Sequence, residues 1–181
     1  EAVSAIGFAG PVNLLISALI GIISDGGSAS CSNHIGRKNT KMIHANFSVA
    51  VWSGLAIGFV FSMLCLLAAP TIAYLLGARG TTADLTSEYL RGLGVGFLPM
   101  TLVQILIFYM RLNNGKIHTV VCALVMTVVN IVLDIVFATK LNMGMYGMGL
   151  ATSLSFIGAI VVCFINIFGK GSIYKLVLPK N

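Results

Sequence analysis

Five long apolar stretches constrain the fold of this chain more than any other feature of its sequence. A bilayer core of about 30 Å requires about 20 consecutive apolar residues in a helix, and each stretch is long enough. Backbone polar groups must be satisfied internally in lipid, so we expect helices rather than an open sheet. The sequence therefore predicts an all-α polytopic integral membrane helix bundle with five transmembrane helices. Their predicted bounds are Ala5–Ser32, Ala45–Leu76, Ser87–Met110, Ile117–Thr139 and Tyr146–Phe168.

Composition supports this class of protein. Of the 181 residues, 57% are hydrophobic and only 9% are charged, whereas a soluble domain carries about 25% charged residues. The net charge of +6 comes from basic residues in short loops between the apolar stretches. The positive-inside rule explains this pattern better than nucleic-acid binding does. We therefore expect the lipid bilayer as a partner and no nucleic acid.

The basic residues also predict the orientation of the chain. Eight of the eleven Lys and Arg residues fall on one side of the predicted membrane, which should be the cytoplasmic side. We expect a multi-pass protein of the plasma membrane, in a bacterium the inner membrane. The chain then begins outside, which requires an odd number of earlier spans, so we expect it to be a fragment. The eight residues are Arg37, Lys38, Lys41, Arg111, Lys116, Lys170, Lys175 and Lys180.

Several residues predict details of the helices. Pro70 should kink or end the second span, and Pro99 falls in the middle of the third. Gly54 and Gly58 form a small-xxx-small pair, which allows close approach of two helices. Four aromatic residues near predicted span ends are typical of an interfacial belt. They are Trp52, Tyr74, Tyr89 and Tyr146.

The fourth apolar stretch contains an acid, Asp134, with Asn130 four residues earlier and hence on the same helix face. Thr152 lies in the fifth stretch. Asp134 and Thr152 are nine residues on either side of Met143, which places them at similar depth in antiparallel helices. An acid inside the membrane is a functional-site hypothesis by default. We predict that Asn130 and Thr152 form hydrogen bonds to Asp134 and that the three residues bind a cation.

The oxygen atoms of Asp134, Asn130 and Thr152 suit a hard cation. The ion is a proton or sodium, the three residues are metal ligands only in the case of sodium, and no other cofactor is expected. The alternative is a hydrogen-bond clamp between helices. Asp25 and Gln104 are two further candidates for lining a cavity. Asp25 could instead be solvated near the membrane surface or bonded to neighbouring Ser hydroxyls, and Gln104 could bond across helices.

Motifs of enzymes are missing from the sequence. The Gly- and Ser-rich segment 21–30 lacks the Gly-Lys-Ser/Thr ending of a phosphate-binding loop, and no serine has a Gly-x-Ser-x-Gly setting. We expect no enzymatic activity. The cysteines fall in separate apolar stretches without metal-ligand spacing, so we interpret them as small hydrophobic residues. They are Cys31, Cys65, Cys122 and Cys163.

Four segments carry a resemblance to a known family: Ser24–Arg37, Arg111–Gly115, Asn130–Asp134 and Met143–Thr152. Together they resemble the multidrug and toxic compound extrusion (MATE) family of antiporters. Asn130-Ile-Val-Leu-Asp134 is similar to the family's segment late in helix five, and Met143 to Thr152 is similar to its glycine-rich entry into helix six. Ser24-Asp-Gly-Gly-Ser28 through Arg37 looks like the family's end of helix two. Arg111-Leu-Asn-Asn-Gly115 looks like its helix-four terminus.

The resemblance implies that the five spans are helices two to six of a six-helix amino-terminal lobe. Residues 1–169 would form this incomplete lobe, and residues 170–181 would begin a cytoplasmic linker to a second lobe. Helix one and the second lobe would be missing partners of the same protein. In one branch of the family, the matched Asn, Asp and Thr join an acid of helix one to bind protons or sodium. Many members have Pro after the Asp, where this chain has Ile135.

The resemblance also implies a function. The implied function is that of a proton- or sodium-coupled antiporter, which exports drug-like, often cationic, organic molecules by alternating access. One alternative is a flippase for lipid-linked saccharides in the same superfamily. Such flippases tend to have a basic central cavity, for which Arg91 at a span end is the nearest candidate. The other alternative is a membrane assembly subunit without transport activity.

Overall fold

The computed structural model describes residues 1–112, 115–167 and 174, and its regular elements there are helices. Helix α1 and helix α2 are long, α3 and α4 are shorter, and α5 continues into a π-helical segment before α6. This confirms the predicted all-α bundle. The bounds are α1 Ala2–Gly36, α2 Thr40–Leu75, α3 Thr81–Gly94, α4 Phe97–Leu112, α5 Lys116–Ile135, the π-helical segment Val136–Lys140 and α6 Gly144–Ile167.

Four of the described helices are long and apolar enough to cross a membrane: α1, α2, α5 with its π-helical segment, and α6. Helices α3 and α4 pass the same test only as a pair, bent by 55° at a short break. The described residues thus contain five candidate spans when the bent pair is counted as one. Short connections make successive spans antiparallel. We call the end with Arg37, Lys38 and Lys116 the basic end, and the other the opposite end.

Two prolines mark bends in different ways. Ala68, two residues before Pro70, has a non-helical backbone (φ −114°, ψ 18°), which confirms the predicted kink. Pro99 does not interrupt a helix, because it lies in the first turn of α4, where backbone N–H groups lack helical partners anyway. The expectation that Pro99 sits in the middle of one continuous span is wrong. The break lies before it, at Val95 and Gly96.

The break between α3 and α4 frees backbone carbonyls that need partners, since lipid offers none. The Ser62 hydroxyl of α2 donates to the Gly94 carbonyl at 2.5 Å. The Ser153 hydroxyl of α6 donates to the Gly92 carbonyl at 2.7 Å. Serines from two neighbouring helices therefore stabilise the end of α3.

Helices α2 and α4 pack closely through the predicted small-residue pair. A Cβ atom on Gly54 would collide with the Ile105 side chain, and one on Gly58 would collide with the Thr101 side chain. That Gly58 Cβ would also lie 3.0 Å from the backbone of Leu98. Both glycines are needed for this helix pair to approach, as the sequence predicted.

An aromatic cluster closes the basic end of the bundle. Phe47 of α2 lies against Tyr109 of α4 and against Tyr174, each with ring centroids 5.1 Å apart. The Tyr109 hydroxyl donates to the Asn46 Oδ1 atom at 2.9 Å. Burial raises the pKa of the Tyr174 phenol, which therefore stays neutral. The predicted helix end at Phe168 and the predicted linker 170–181, apart from Tyr174, lie outside the described residues.

Candidate functional site

Helices α5 and α6 bring two of the three predicted site residues into contact. The Asn130 Nδ2 atom donates to the Thr152 Oγ1 atom at 3.3 Å. The Thr152 hydroxyl donates to the Met148 carbonyl at 3.1 Å. Asn130 therefore keeps its Oδ1 atom free to accept a hydrogen bond or to bind a cation.

Asp134 lies one helical turn beyond Asn130, and one of its carboxylate oxygens is buried. Its Oδ1 atom is buried and has no hydrogen-bond partner. The predicted hydrogen bonds from Asn130 and Thr152 to Asp134 are absent, and the two residues bond to each other instead. The prediction assumed equal helical rise on both sides of Met143. The π-helical segment interrupts one side, so Thr152 comes opposite Asn130.

The π-helical segment begins two residues after Asp134. The Leu141 N–H donates to the Val136 carbonyl at 3.2 Å, which is the i to i+5 pattern of a π-helix. The Thr139 hydroxyl donates to the Ile135 carbonyl at 2.6 Å. The helix is thus irregular here although Ile135 stands where many MATE proteins have proline. Single π-turns inside helices are frequent at functional sites.

Tyr89 of α3 is the site residue that sequence reasoning missed. Its side chain is only 9% exposed, and its phenol lies near the Thr152 side chain and the Asp134 carboxyl group. The prediction that Tyr89 belongs to an interfacial belt is therefore wrong. Trp52 and Tyr74 are exposed, in agreement with that prediction.

A close backbone contact places Tyr89 beside Thr152. The α3–α6 seam is our name for the contact of Gly92 of α3, and of Gly96 in the break that follows, with Gly149 and Ser153 of α6. A Cβ atom on Gly149 would lie 2.5 Å from the Tyr89 carbonyl oxygen. Tyr89 and Gly92 share one face of α3 at the spacing i, i+3, a sequence signal that could have placed Tyr89 in this interface.

The two remaining candidates differ in their surroundings. Asp25 is exposed on α1, and the Ser28 hydroxyl donates to its backbone carbonyl at 3.1 Å rather than to its carboxylate. The Gln104 Nε2 atom of α4 donates to the Ser17 Oγ atom of α1 at 3.4 Å. Gln104 thus bonds across helices, as one of its two interpretations predicted. Neither residue forms a hydrogen bond to Asn130, Asp134, Thr152 or Tyr89.

Helix α3 carries its charged residues on one face. Asp84, Glu88 and Arg91 are all exposed and follow one another at the helical spacing i, i+4, i+7. Arg91 follows Tyr89 by two residues, so it lies near the depth of the candidate site. Within residues 1–112, 115–167 and 174, no three His, Cys, Asp or Glu side chains form a metal-binding group.

A bundle of helices long and apolar enough to span a membrane, with one broken span and an acid near an interhelical hydrogen bond, defines a multi-pass integral membrane protein. The chain belongs to the MatE family, whose sequence profile matches residues 1–136. The match includes Asn130 and Asp134.

Curated relatives agree with the family. The chain is 27% identical over 176 residues to the multidrug export protein MepA of Staphylococcus saprophyticus. The aligned region covers 97% of this chain and 39% of that protein. It is 28% identical over 170 residues to MepA of Staphylococcus aureus, covering 94% and 38%. The chain thus spans about two fifths of the length of these relatives.

Solved structures share the fold. An inward-facing multidrug resistance MATE family transporter of the MOP superfamily matches with a TM-score of 0.90 and 22% identity, over 100% of this chain and 42% of that one. A MOP superfamily transporter from Pyrococcus furiosus, described as having a binding pocket of reversed polarity, matches with a TM-score of 0.85 and 22% identity. That match covers 98% of this chain and 40% of the Pyrococcus chain.

Proposed function

We propose that this chain is part of a proton- or sodium-coupled antiporter that exports drug-like organic molecules across the plasma membrane. Residues 1–169 would be an incomplete amino-terminal lobe, completed by a further helix and a second lobe, and residues 170–181 would begin the linker. Membership of the MatE family and the similarity to proteins named multidrug export proteins support this proposal.

The buried oxygen of Asp134 carries the proposal. Burying a polar atom without a partner is costly, and a carboxylate inside the membrane is costlier still. A helix clamp would be served at lower cost by Asn or Ser. The Oδ1 atom of Asp134 has no protein partner, whereas the clamp between Asn130 and Thr152 forms without it. The arrangement therefore supports a carboxylate reserved for an exchangeable ion.

The neighbouring groups suit a small hard cation. Asn130 lies one helical turn from Asp134 and is bonded to Thr152, so its Oδ1 atom and the Thr152 Oγ1 atom would supply the oxygen ligands that sodium prefers. A proton would instead neutralise Asp134 directly, and Tyr89 would form part of the surrounding hydrogen-bond network. Both ions remove the net negative charge at the same place, so one site serves either coupling ion.

Neutralisation of Asp134 would change which packing of α5 and α6 is preferred. An ion can shift such an equilibrium only through its different affinity for the two packings. We place the site nearer the opposite end of the bundle, which the positive-inside rule assigns to the outside. Arrival of the ion from outside would thus drive release of a substrate outward, which is alternating access.

The test is gradient-driven efflux of a cationic dye from membrane vesicles that contain the protein. We expect Asp134→Asn to insert normally. Its rate of efflux, driven by either a proton or a sodium gradient, should be at least about tenfold below that of the wild type. Thr152→Val should reduce the cation dependence more mildly. Asp84→Asn is the matched control, because it makes the same chemical change at an exposed acid outside the site, and it should transport normally.

Two outcomes would overturn the proposal. Efflux at the wild-type rate in Asp134→Asn, under both gradients, would show that Asp134 does not couple ion binding to transport. Loss of folded protein in Asp134→Asn, with normal insertion of Asp84→Asn, would instead assign Asp134 to a structural clamp in an assembly subunit.

Arg91 supports a second candidate, a flippase for lipid-linked saccharides. Its guanidinium is exposed near the depth of Tyr89, and arginine binds phosphate groups in a bidentate manner. The efflux assay separates the two functions when it is repeated with a fluorescent diphosphate-linked lipid. Translocation of that lipid, abolished by Arg91→Gln but not by Asp134→Asn, would favour the flippase.

A further inference from the structure

Two cysteines face each other in the interface between α5 and α6. Cys122 and Cys163 are both 0% exposed, and their Sγ atoms are 3.5 Å apart in hydrogen-bonding contact. The Cys122 Sγ atom also lies 3.6 Å from the Ala159 carbonyl oxygen. The other two cysteines differ: Cys31 contacts the Tyr174 side chain, and Cys65 lies against Gly94 of α3.

We propose that Cys122 and Cys163 are an oxidation site that closes to a disulfide between α5 and α6. A disulfide has an S–S length of about 2.05 Å, so the two sulfur atoms have to approach by only about 1.5 Å. Rotation of two side chains that already touch supplies an approach of this size. The pair lies toward the basic end, six residues into α5 and four residues before the end of α6.

The oxidant that fits this place is a small uncharged peroxide such as hydrogen peroxide. One thiol attacks the peroxide, the O–O bond breaks, and a sulfenic acid and one water form. The second thiol then displaces water from the sulfenic sulfur and forms the S–S bond. In sum, two thiols lose two electrons and two protons, and one peroxide becomes two waters. Both S–H bonds are replaced by one covalent link between the helices.

The position of the pair gives the disulfide a consequence for the rest of α5. Among the twenty residues of this helix, Cys122 is the one that is buried, so α5 is attached to the bundle chiefly by partly exposed side chains. Asn130 lies eight residues from Cys122, about 12 Å along the same helix. A disulfide would fix α5 to α6 about two helical turns from the hydrogen bond between Asn130 and Thr152. This effect on coupling rests on the proposed function, whereas the thiol chemistry does not.

The chemistry is tested in membranes that contain the protein, treated with hydrogen peroxide and then denatured in a thiol-blocking reagent. We expect a peptide cross-linked through Cys122 and Cys163, which disappears after treatment with dithiothreitol. Cys65→Ser is the matched control, because it removes a buried thiol that has no thiol neighbour, and it should still give the cross-link. Cys122→Ser and Cys163→Ser should each abolish it. If neither peroxide nor copper phenanthroline with dioxygen produced the cross-linked peptide in the wild type, the proposal would be wrong.

The same vesicles test the effect on transport. Efflux should fall by about fivefold or more on oxidation, recover with dithiothreitol, and resist peroxide in Cys122→Ser. A disulfide that forms without changing efflux would overturn the regulatory part. If unoxidised wild-type vesicles showed no gradient-driven efflux, the proposed function would fail, and the cross-linked peptide would still decide the chemistry.

Discussion

Helix α6 packs against α3 and against α5 in different ways. At the α3–α6 seam, the backbones touch, and a Cβ atom on Gly92 would lie 2.9 Å from the Leu150 nitrogen and 3.0 Å from the Gly149 carbonyl carbon. In the contact between α5 and α6, which we call the α5–α6 seam, side chains separate the helices. There a Cβ atom on Gly158 would lie at an ordinary 3.6 Å from the side chains of Val125 and Val129.

Burial follows the same division. Eight of the fourteen residues of α3 are buried, compared with one of the twenty residues of α5. Backbones in contact leave no room for a shift, whereas side chains can change rotamers. We therefore expect rearrangements of this bundle to occur at the α5–α6 seam, where the candidate site lies, while α3 and α6 move as one unit.

The largest effect should come from filling the α3–α6 seam. Gly149→Ala places a methyl group 2.5 Å from the Tyr89 carbonyl oxygen and 2.9 Å from the Leu93 nitrogen. These are backbone atoms, which cannot move away by a change of rotamer. Overpacking of this kind costs about 3 kcal/mol. We expect a clear fall in the apparent melting temperature of the protein in detergent. An unchanged melting temperature would show that the α3–α6 seam is not the rigid one.

Removing a hydrogen bond from the α3–α6 seam should have a smaller effect. Ser153→Ala leaves the Gly92 carbonyl at the end of α3 without its donor, and hydrogen bonds between membrane helices contribute about 1 kcal/mol. Ser155→Ala is the control, since that hydroxyl donates within its own helix, to the Thr152 carbonyl. The melting temperature should fall more in Ser153→Ala, and equal shifts would contradict a role for Ser153 in holding the break.

At the α5–α6 seam, loss of the interhelical hydrogen bond should barely change stability. Thr152→Val removes the long bond from Asn130 but preserves the shape of the side chain, so we expect a cost of less than about 1 kcal/mol. The melting temperature measures the cost. A loss as large as that of Gly149→Ala would show that the α5–α6 seam depends on this bond for stability.

The smallest effect is expected at Gly158. Gly158→Ala brings a methyl group into ordinary contact with Val125 and Val129, and alanine favours a helix over glycine by up to about 1 kcal/mol. The melting temperature should be unchanged or slightly higher. A fall comparable to that of Gly149→Ala would remove the difference between the two seams.

Features that depend on local sequence were predictable. The apolar lengths predicted the spans, Pro70 predicted the kink at Ala68, and the spacing of Gly54 and Gly58 predicted a close helix contact. Each of these follows from the bilayer thickness, from a missing N–H group or from a missing side chain. Neighbouring helices change none of them.

Features that depend on contacts between helices were not predictable from local sequence. The break at Val95 and Gly96 persists because Ser62 and Ser153 of other helices supply donors. The position of Thr152 opposite Asn130 depends on the π-helical segment, and local sequence does not predict that segment. Cys122 and Cys163, 41 residues apart, meet only because α5 and α6 pack in this register.

The charged face of α3 indicates the depth to which water or other polar groups surround the bundle. Asp84, Glu88 and Arg91 are exposed, and they span seven residues, about 10 Å along the helix axis. A charge facing hydrocarbon costs several kcal/mol, so this face requires water or other polar groups along that depth. Tyr89 is buried on another face of α3 at a similar depth, so an ion approaching along the charged face from the opposite end would keep its hydration shell to about the depth of Tyr89. Dehydration would then be confined to the last step, where the oxygens of Asn130, Asp134 and Thr152 replace water.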